Sequence, residues 1–137
     1  MTESTQLSPL PPATPEIPAD LPPHRLSVVV PLYNEEDNVV PLLERIHLAL
    51  NPYPYPWEVV IVDDGSSDNT VPNLEKAALV YGPHVRVVAL MRNFKQTAAM
   101  QAGIDAARGD VIVTMDGDLQ NDPIDIPRLV ARLLNEN

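Results

Sequence analysis

From Arg25 onward, short apolar runs alternate with stretches whose apolar residues recur at helical spacing. The first run, Leu26-Ser-Val-Val-Val-Pro-Leu32, is β-branched and almost unbroken, as a strand buried on both faces should be. Between Asn38 and Leu50, Val39, Leu42, Leu43, Ile46 and Leu50 mark one face of a helix. Pro41 fits only in its first turn, which makes Asn38 the expected N-cap. Asn51-Pro-Tyr-Pro-Tyr-Pro56 ends that helix and leads to a second strand, Trp57 to Val62. A helix capped by Asp68 or Thr70 then reaches Val80 and stops at Gly82-Pro83. The third strand is Val85 to Leu90. The third helix runs from Gln96 to Ala107, with Ala98, Met100, Gly103 and Ala107 among its small or apolar positions. Val111 to Met115 is the fourth strand, and a last helix begins near Ile126 with Leu129, Val130, Leu133 and Leu134 as its buried stripe.

Strands and helices alternating at these lengths predict an α/β fold with a mostly parallel sheet and flanking helices. Ligands of such sheets sit beyond the carboxyl ends of the strands. Three acid-rich loops occupy those ends: Pro31 to Glu36, Asp63 to Asp68 and Asp116 to Gln120.

Composition narrows the picture. Seven of the 16 prolines lie in the first 23 residues, which carry only Leu7, Leu10, Ile17 and Leu21 as large apolar side chains. Residues 1–24 therefore read as a disordered or extended tail and residues 25–137 as one domain, with no further strand after the last helix to complete the sheet. No apolar stretch has the length of a secretory signal or of a bilayer span, so the chain as given is expected to be soluble and cytoplasmic. A net charge of −10 argues against nucleic acid and against electrostatic docking on anionic lipid. There is no cysteine, hence no disulfide and no thiolate metal site.

The candidate chemistry lies in the three loops. In Asp116-Gly117-Asp118-Leu119-Gln120, two carboxylates and an amide oxygen alternate along the chain, and such hard oxygen donors suit Mg²⁺ or Mn²⁺. The bland alternative is a turn in which the two aspartates cap the next helix. A carboxylate at Asp63 can accept from a ribose hydroxyl or a base N–H; alternatively, Asp63 and Asp64 shape a turn with Gly65. Tyr33 can flank a base and Glu35 can accept from its ring, or the acids merely complement a helix N-terminus. Acidic groups at a sheet mouth repel a nucleotide diphosphate unless a cation intervenes, and a bound divalent ion reverses that repulsion.

In combination, Val28-Val-Val-Pro-Leu-Tyr-Asn-Glu-Glu36, Val62-Asp-Asp-Gly-Ser-Ser-Asp68, Arg92-Asn-Phe94 and Met115-Asp-Gly-Asp-Leu-Gln120 resemble glycosyltransferase family 2 over about Leu26 to Leu134. Arg92-Asn-Phe94 followed by Ala98 to Gly103, with Gln120 after the acidic pair, resembles the polyprenyl-phosphate sugar transferases within it, of which dolichyl-phosphate mannosyltransferase is the type example. The resemblance implies a Rossmann-like type A nucleotide-sugar-binding fold, truncated after the Asp-x-Asp motif. It implies that Pro31, Tyr33, Glu35, Asp63, Asp116 and Gly117 bind the nucleotide sugar and that Asp116, Asp118 and Gln120 surround Mg²⁺ or Mn²⁺. The implied reaction is inverting transfer of a hexose from a UDP- or GDP-sugar to a polyprenyl or dolichyl phosphate, with the parent protein at the cytoplasmic face of a membrane. The resemblance places acceptor-side and catalytic residues beyond Asn137. A rival reading is a donor-binding fragment that cannot transfer and whose exposed edges drive self-association. Another is phosphoryl transfer through Asp116 in the style of haloacid dehalogenases, disfavoured because no Thr or Val stands two residues after Asp118. Two departures stand out. Lys95 occupies a place where relatives commonly have glycine, altering the loop or adding a phosphate contact, and Asn121-Asp-Pro-Ile124 replaces a frequent Pro-Pro-Glu-type continuation. Arg92 is expected to be structural.

Overall fold

The computed structural model describes residues 21–118, 120 and 122–135. Four strands form one parallel sheet: β1 (Leu26–Leu32), β2 (Trp57–Asp63), β3 (Val85–Ala89) and β4 (Val111–Thr114), in the order β3-β2-β1-β4. Leu26 pairs with both Trp57 and Val111, which fixes the register through the middle of the sheet. Every residue of β1 is buried, as its near-continuous apolar run requires.

The helices are α1 (Val39–Leu50), α2 (Thr70–Tyr81), α3 (Gln96–Ala106) and α4 (Ile126–Asn135). Alternation along β1 assigns them to layers. Leu26, Val28, Val30 and Leu32 pack with α1, Leu74 and Ala77 of α2, and Ile126 and Val130 of α4. Val29 joins Val60, Val62 and Ala99 of α3 on the opposite face. The chain thus moves outward from β1 through β2 to β3 with its helices on one face. It then crosses beneath the sheet through α3 and re-enters beside β1 as β4. The direction of winding reverses between β1 and β4, and crevices of doubly wound sheets open at such a reversal.

Element bounds follow the sequence reading closely, and some side-chain orientations differ from it. Asn38 precedes α1 but makes no capping bond, because a 3₁₀ turn at Glu36–Asn38 leads into the helix. In α3 the buried small residues are Ala99 and Gly103, and Ala98 is exposed. In α4 the buried positions are Ile126, Pro127 and Val130, while Leu129 and Leu133 are half exposed at 51% and 49%. Of the proline-rich segment, residues 1–20 lie outside the described residues. Its last part is packed: Leu21 and His24 are buried, the Tyr55 hydroxyl donates to the Leu21 carbonyl, and His24 stacks against Tyr55. The packed region therefore begins ahead of residue 25. Among the described residues no helix is long and apolar enough to cross a membrane.

Candidate functional site

A cleft of about 420 Å³ opens where β1 and β4 end. Its wall brings together Pro31, Tyr33, Glu35, Asp116, Gly117 and Asp118 of the expected set, along with Leu32, Asp64, Asn93, Lys95 and Gln96. Gly117 lets β4's continuation approach β1, since a Cβ there would collide with the Leu32 side chain. Asp116 is held by α3: the Gln96 side-chain amide donates to Asp116 Oδ1 at 2.9 Å. Asp118 Oδ1 accepts from the Gln120 N–H at 3.1 Å, a local turn of the kind that competes with metal ligation for this residue. Gln120 does not line the cleft; it borders a neighbouring depression with Met115, Asp122 and Arg128.

Asp63 does not line the cleft either. It is 1% exposed, and its Oδ2 accepts from the Ser66 N–H at 3.0 Å. Its Oδ1 has no partner, the single such buried side-chain polar atom among the described residues. Asp64, read from sequence only as part of a turn, does face the cleft. Its Oδ1 accepts from the Phe94 N–H at 2.7 Å and its Oδ2 from the Asn93 amide at 3.1 Å, which ties the loop after β3 to the end of β2. Gly65 completes this joint at φ +74°, its Cα close enough to the Arg92 backbone to exclude a side chain. Arg92 itself stacks over the Phe94 ring at 4.6 Å, a structural placement.

The third corner separates its two glutamates. Glu35 lines the cleft, whereas Glu36 Oε1 accepts from the Asn69 N–H at 3.0 Å and its carbonyl from Asn73, clamping the start of α2. Asp68 accepts from the Thr70 N–H and hydroxyl. Although burial opposes its ionisation, these bonds and one from the Glu36 N–H hold its carboxyl below the usual range. Asn34, at φ +51°, bridges both loops by accepting from the Ser67 N–H and donating its own N–H to Ser66 Oγ. The residues missed from sequence alone are Asp64, just after β2, and Asn93 and Gln96, which lie between the end of β3 and the start of α3. The segment between β3 and α3 carries no carboxylate, and the sequence reading named only the three acid-rich strand ends.

Four acids and one lysine therefore surround the cleft. No trio of His, Asp or Glu side chains among the described residues is arranged to hold a metal. Asp116 and Asp118 nonetheless fit a hard divalent ion of the kind that takes one or two protein carboxylates and completes its shell with water and phosphate oxygens.

The sequence model of Glycosyl transferase family 2 matches residues 27–137. Dodecaprenyl-phosphate galacturonate synthase of Rhizobium johnstonii is 58% identical over 108 residues, covering 79% of this chain and 32% of the relative. An undecaprenyl-phosphate 4-deoxy-4-formamido-L-arabinose transferase of Pseudomonas fluorescens is 48% identical, covering 80% of this chain and again 32% of the relative. The chain thus spans about a third of the length of the curated relatives it matches. Among solved structures, a mannosyltransferase of Pyrobaculum calidifontis in complex with GDP-Man and Mn²⁺ superposes with a TM-score of 0.60 at 28% identity, covering 74% of this chain and 31% of that one. With the matched motifs seated around one cleft of a type A glycosyltransferase fold, the chain belongs to glycosyltransferase family 2.

Proposed function

We propose that this chain forms the donor-binding part of an inverting, metal-dependent glycosyltransferase that moves a sugar from a nucleoside diphosphate to a polyprenyl phosphate. The observation that carries the reading is the convergence of Asp116 and Asp118 with Tyr33 and Glu35 on one cleft, at the point where the sheet reverses its winding. Tyr33 and Glu35 flank the base. The unpartnered Oδ1 of Asp63 is an acceptor in need of a donor, and a base N–H or ribose hydroxyl reaching past Asp64 would supply one. Asp116 and Asp118 would hold Mg²⁺ or Mn²⁺, which when bound offsets the charge of the diphosphate and assists its departure. Gln96 keeps the Asp116 carboxylate oriented toward that role. That relatives are named for dodecaprenyl and undecaprenyl phosphate supports a lipid-phosphate acceptor, and with it transfer at a membrane surface. One acceptor phosphate oxygen forms the new bond to the anomeric carbon, while the bond from that carbon to the donor diphosphate breaks and its electron pair leaves with the nucleotide. That oxygen is already anionic near neutral pH, so the step needs no general base, and positioning supplies most of the acceleration.

Calorimetry with UDP and with GDP, each with and without Mn²⁺, tests the reading. Metal-dependent binding of one nucleotide is expected. Asp118→Asn should abolish that dependence with little change in melting temperature, because Asp118 is exposed and its one bond within the described residues is a local turn. Equal affinity with and without the ion would remove the metal from the proposal.

A further inference from the structure

Lys95 holds a backbone conformation that disfavours a side chain. Its backbone lies at φ 78°, ψ 162°, a region that glycine enters freely and that a Cβ makes costly. Asn34 is the other non-glycine residue with positive φ among those described, but at 51° it lies in the left-handed well that asparagine tolerates. Lysine has no short polar arm to bond its own backbone in compensation, and Lys95 makes no capping bond at the start of α3. Any return for the strain must come from the ammonium. Lys95 lines the cleft, where Glu35, Asp64, Asp116 and Asp118 are the acids and Lys95 is the one base. Lys95 immediately precedes Gln96, the first residue of α3, whose side chain donates to Asp116 Oδ1.

We propose that Lys95 is a donor-binding residue: its ammonium receives an anionic oxygen group of the nucleotide sugar in the cleft that Asp116 and Asp118 line. This rests on the donor-cleft reading above. Two groups share the required chemistry, the diphosphate itself and a carboxylate on the transferred sugar. A point charge on a flexible stem suits either.

The test uses Lys95→Gly, Lys95→Ala and Lys95→Arg in the 137-residue chain, titrated calorimetrically with UDP, UDP-glucose and UDP-glucuronate in the presence of Mn²⁺. Where the wild type prefers guanine, GDP, GDP-mannose and GDP-mannuronate take their place. Melting temperatures are recorded without ligand. Lys95→Gly should melt a few degrees higher and yet bind at least one ligand about tenfold more weakly, the scale of a lost charge-assisted hydrogen bond. Lys95→Ala should lose the same affinity with no gain in melting temperature, and Lys95→Arg should keep it. Equal weakening for all three ligands assigns the diphosphate; weakening confined to the uronate assigns the sugar carboxylate. Unchanged affinity of Lys95→Gly for all three overturns the inference and leaves the donor-cleft reading standing. A wild-type chain that binds neither ligand set overturns both.

Discussion

At Asp63 one carboxylate oxygen accepts from the Ser66 N–H, while the other is buried with no donor among the described residues. The next residue, Asp64, satisfies both of its oxygens with the loop after β3. Two adjacent aspartates therefore do opposite work: Asp64 is a completed joint, and Asp63 is an open acceptor behind the cleft. Sequence alone could not separate them, because their difference arises from strand alternation at the last residue of β2 and the first beyond it. Gly65 closes the joint, and its positive φ together with the nearby Arg92 backbone leaves no room for a Cβ. Gly65→Ala is expected to cost roughly 3 kcal/mol, from backbone strain and displacement of the Arg92–Phe94 loop. Urea unfolding reads that cost, and a loss below about 0.5 kcal/mol, the scatter of neutral surface changes, would show the loop to be freely movable. The loop after β4 was legible in part. Asp116 and Asp118 reach the cleft as their alternation suggests, whereas Gln120 turns to a neighbouring depression.

Between elements, two polar clusters join pieces that periodicity alone treats as apolar contacts. Under α3, Glu58 of β2 accepts from Ser27 Oγ of β1, the Arg108 N–H and Arg86 Nη1 of β3 at 2.6–2.9 Å, and Arg86 also donates to the Ala106 carbonyl. Burial works against the Glu58 charge, but the Ser27, Arg108 and Arg86 donors outweigh it and hold the carboxyl below its usual range. Stability from this group is full above the unfolded carboxyl's range and lost as pH falls through the lower folded value. Glu58→Ala should cost about 2 kcal/mol, the order expected when charge-assisted bonds go and a half-buried guanidinium is left without its acid. An unchanged denaturation midpoint would refute it. On the opposite face of that same end of the sheet, His47 of α1 donates from Nδ1 to the Leu43 carbonyl, and its Nε2 lies 2.7 Å from His84 Nε2. Desolvation, then the nearby His47, lowers the His84 pKa. The unfolded chain therefore takes up its proton first, and stability falls as pH drops below 6.5, the ordinary value, until folded His84 titrates. His84→Gln retains a donor toward His47 and should flatten that slope in melting curves between pH 7 and pH 5; an unaltered slope would place the dependence elsewhere. The strands and helices were readable because most are short runs of apolar periodicity and some end at clear breakers, as at Pro56 and Gly82-Pro83. The two clusters were not, since residues 27, 58 and 86 meet only through the parallel pairing, and 47 and 84 only where α1 packs beside the start of β3.

For the molecule as a whole, the sheet's outer strands β3 and β4 each pair on one side only among the described residues. Unpaired edges are templates for another chain, and natural sheets usually blunt them with charge or proline. Here β4 reads Val111-Ile-Val-Thr114, without either, and Ile112 is 37% exposed. Beside β3, Leu79 and Val80 at the end of α2 are 88% and 81% exposed. Opposing contact is a net charge of −10 on 137 residues, which repels like copies at a distance. That repulsion is screened over about 10 Å at 0.1 M salt and about 3 Å at 1 M, while apolar and edge contacts are strengthened or unaffected. Self-association is therefore expected to rise with salt, the reverse of a contact held by ion pairs. Sedimentation velocity across that range measures it. Ile112→Glu and Leu79→Glu each place a carboxylate on an already exposed position at little cost to the fold, and whichever keeps the chain monomeric at high salt identifies the edge that pairs. A chain that sediments as a monomer at every salt concentration would mean that these edges, though open, are too short or too twisted to serve as templates.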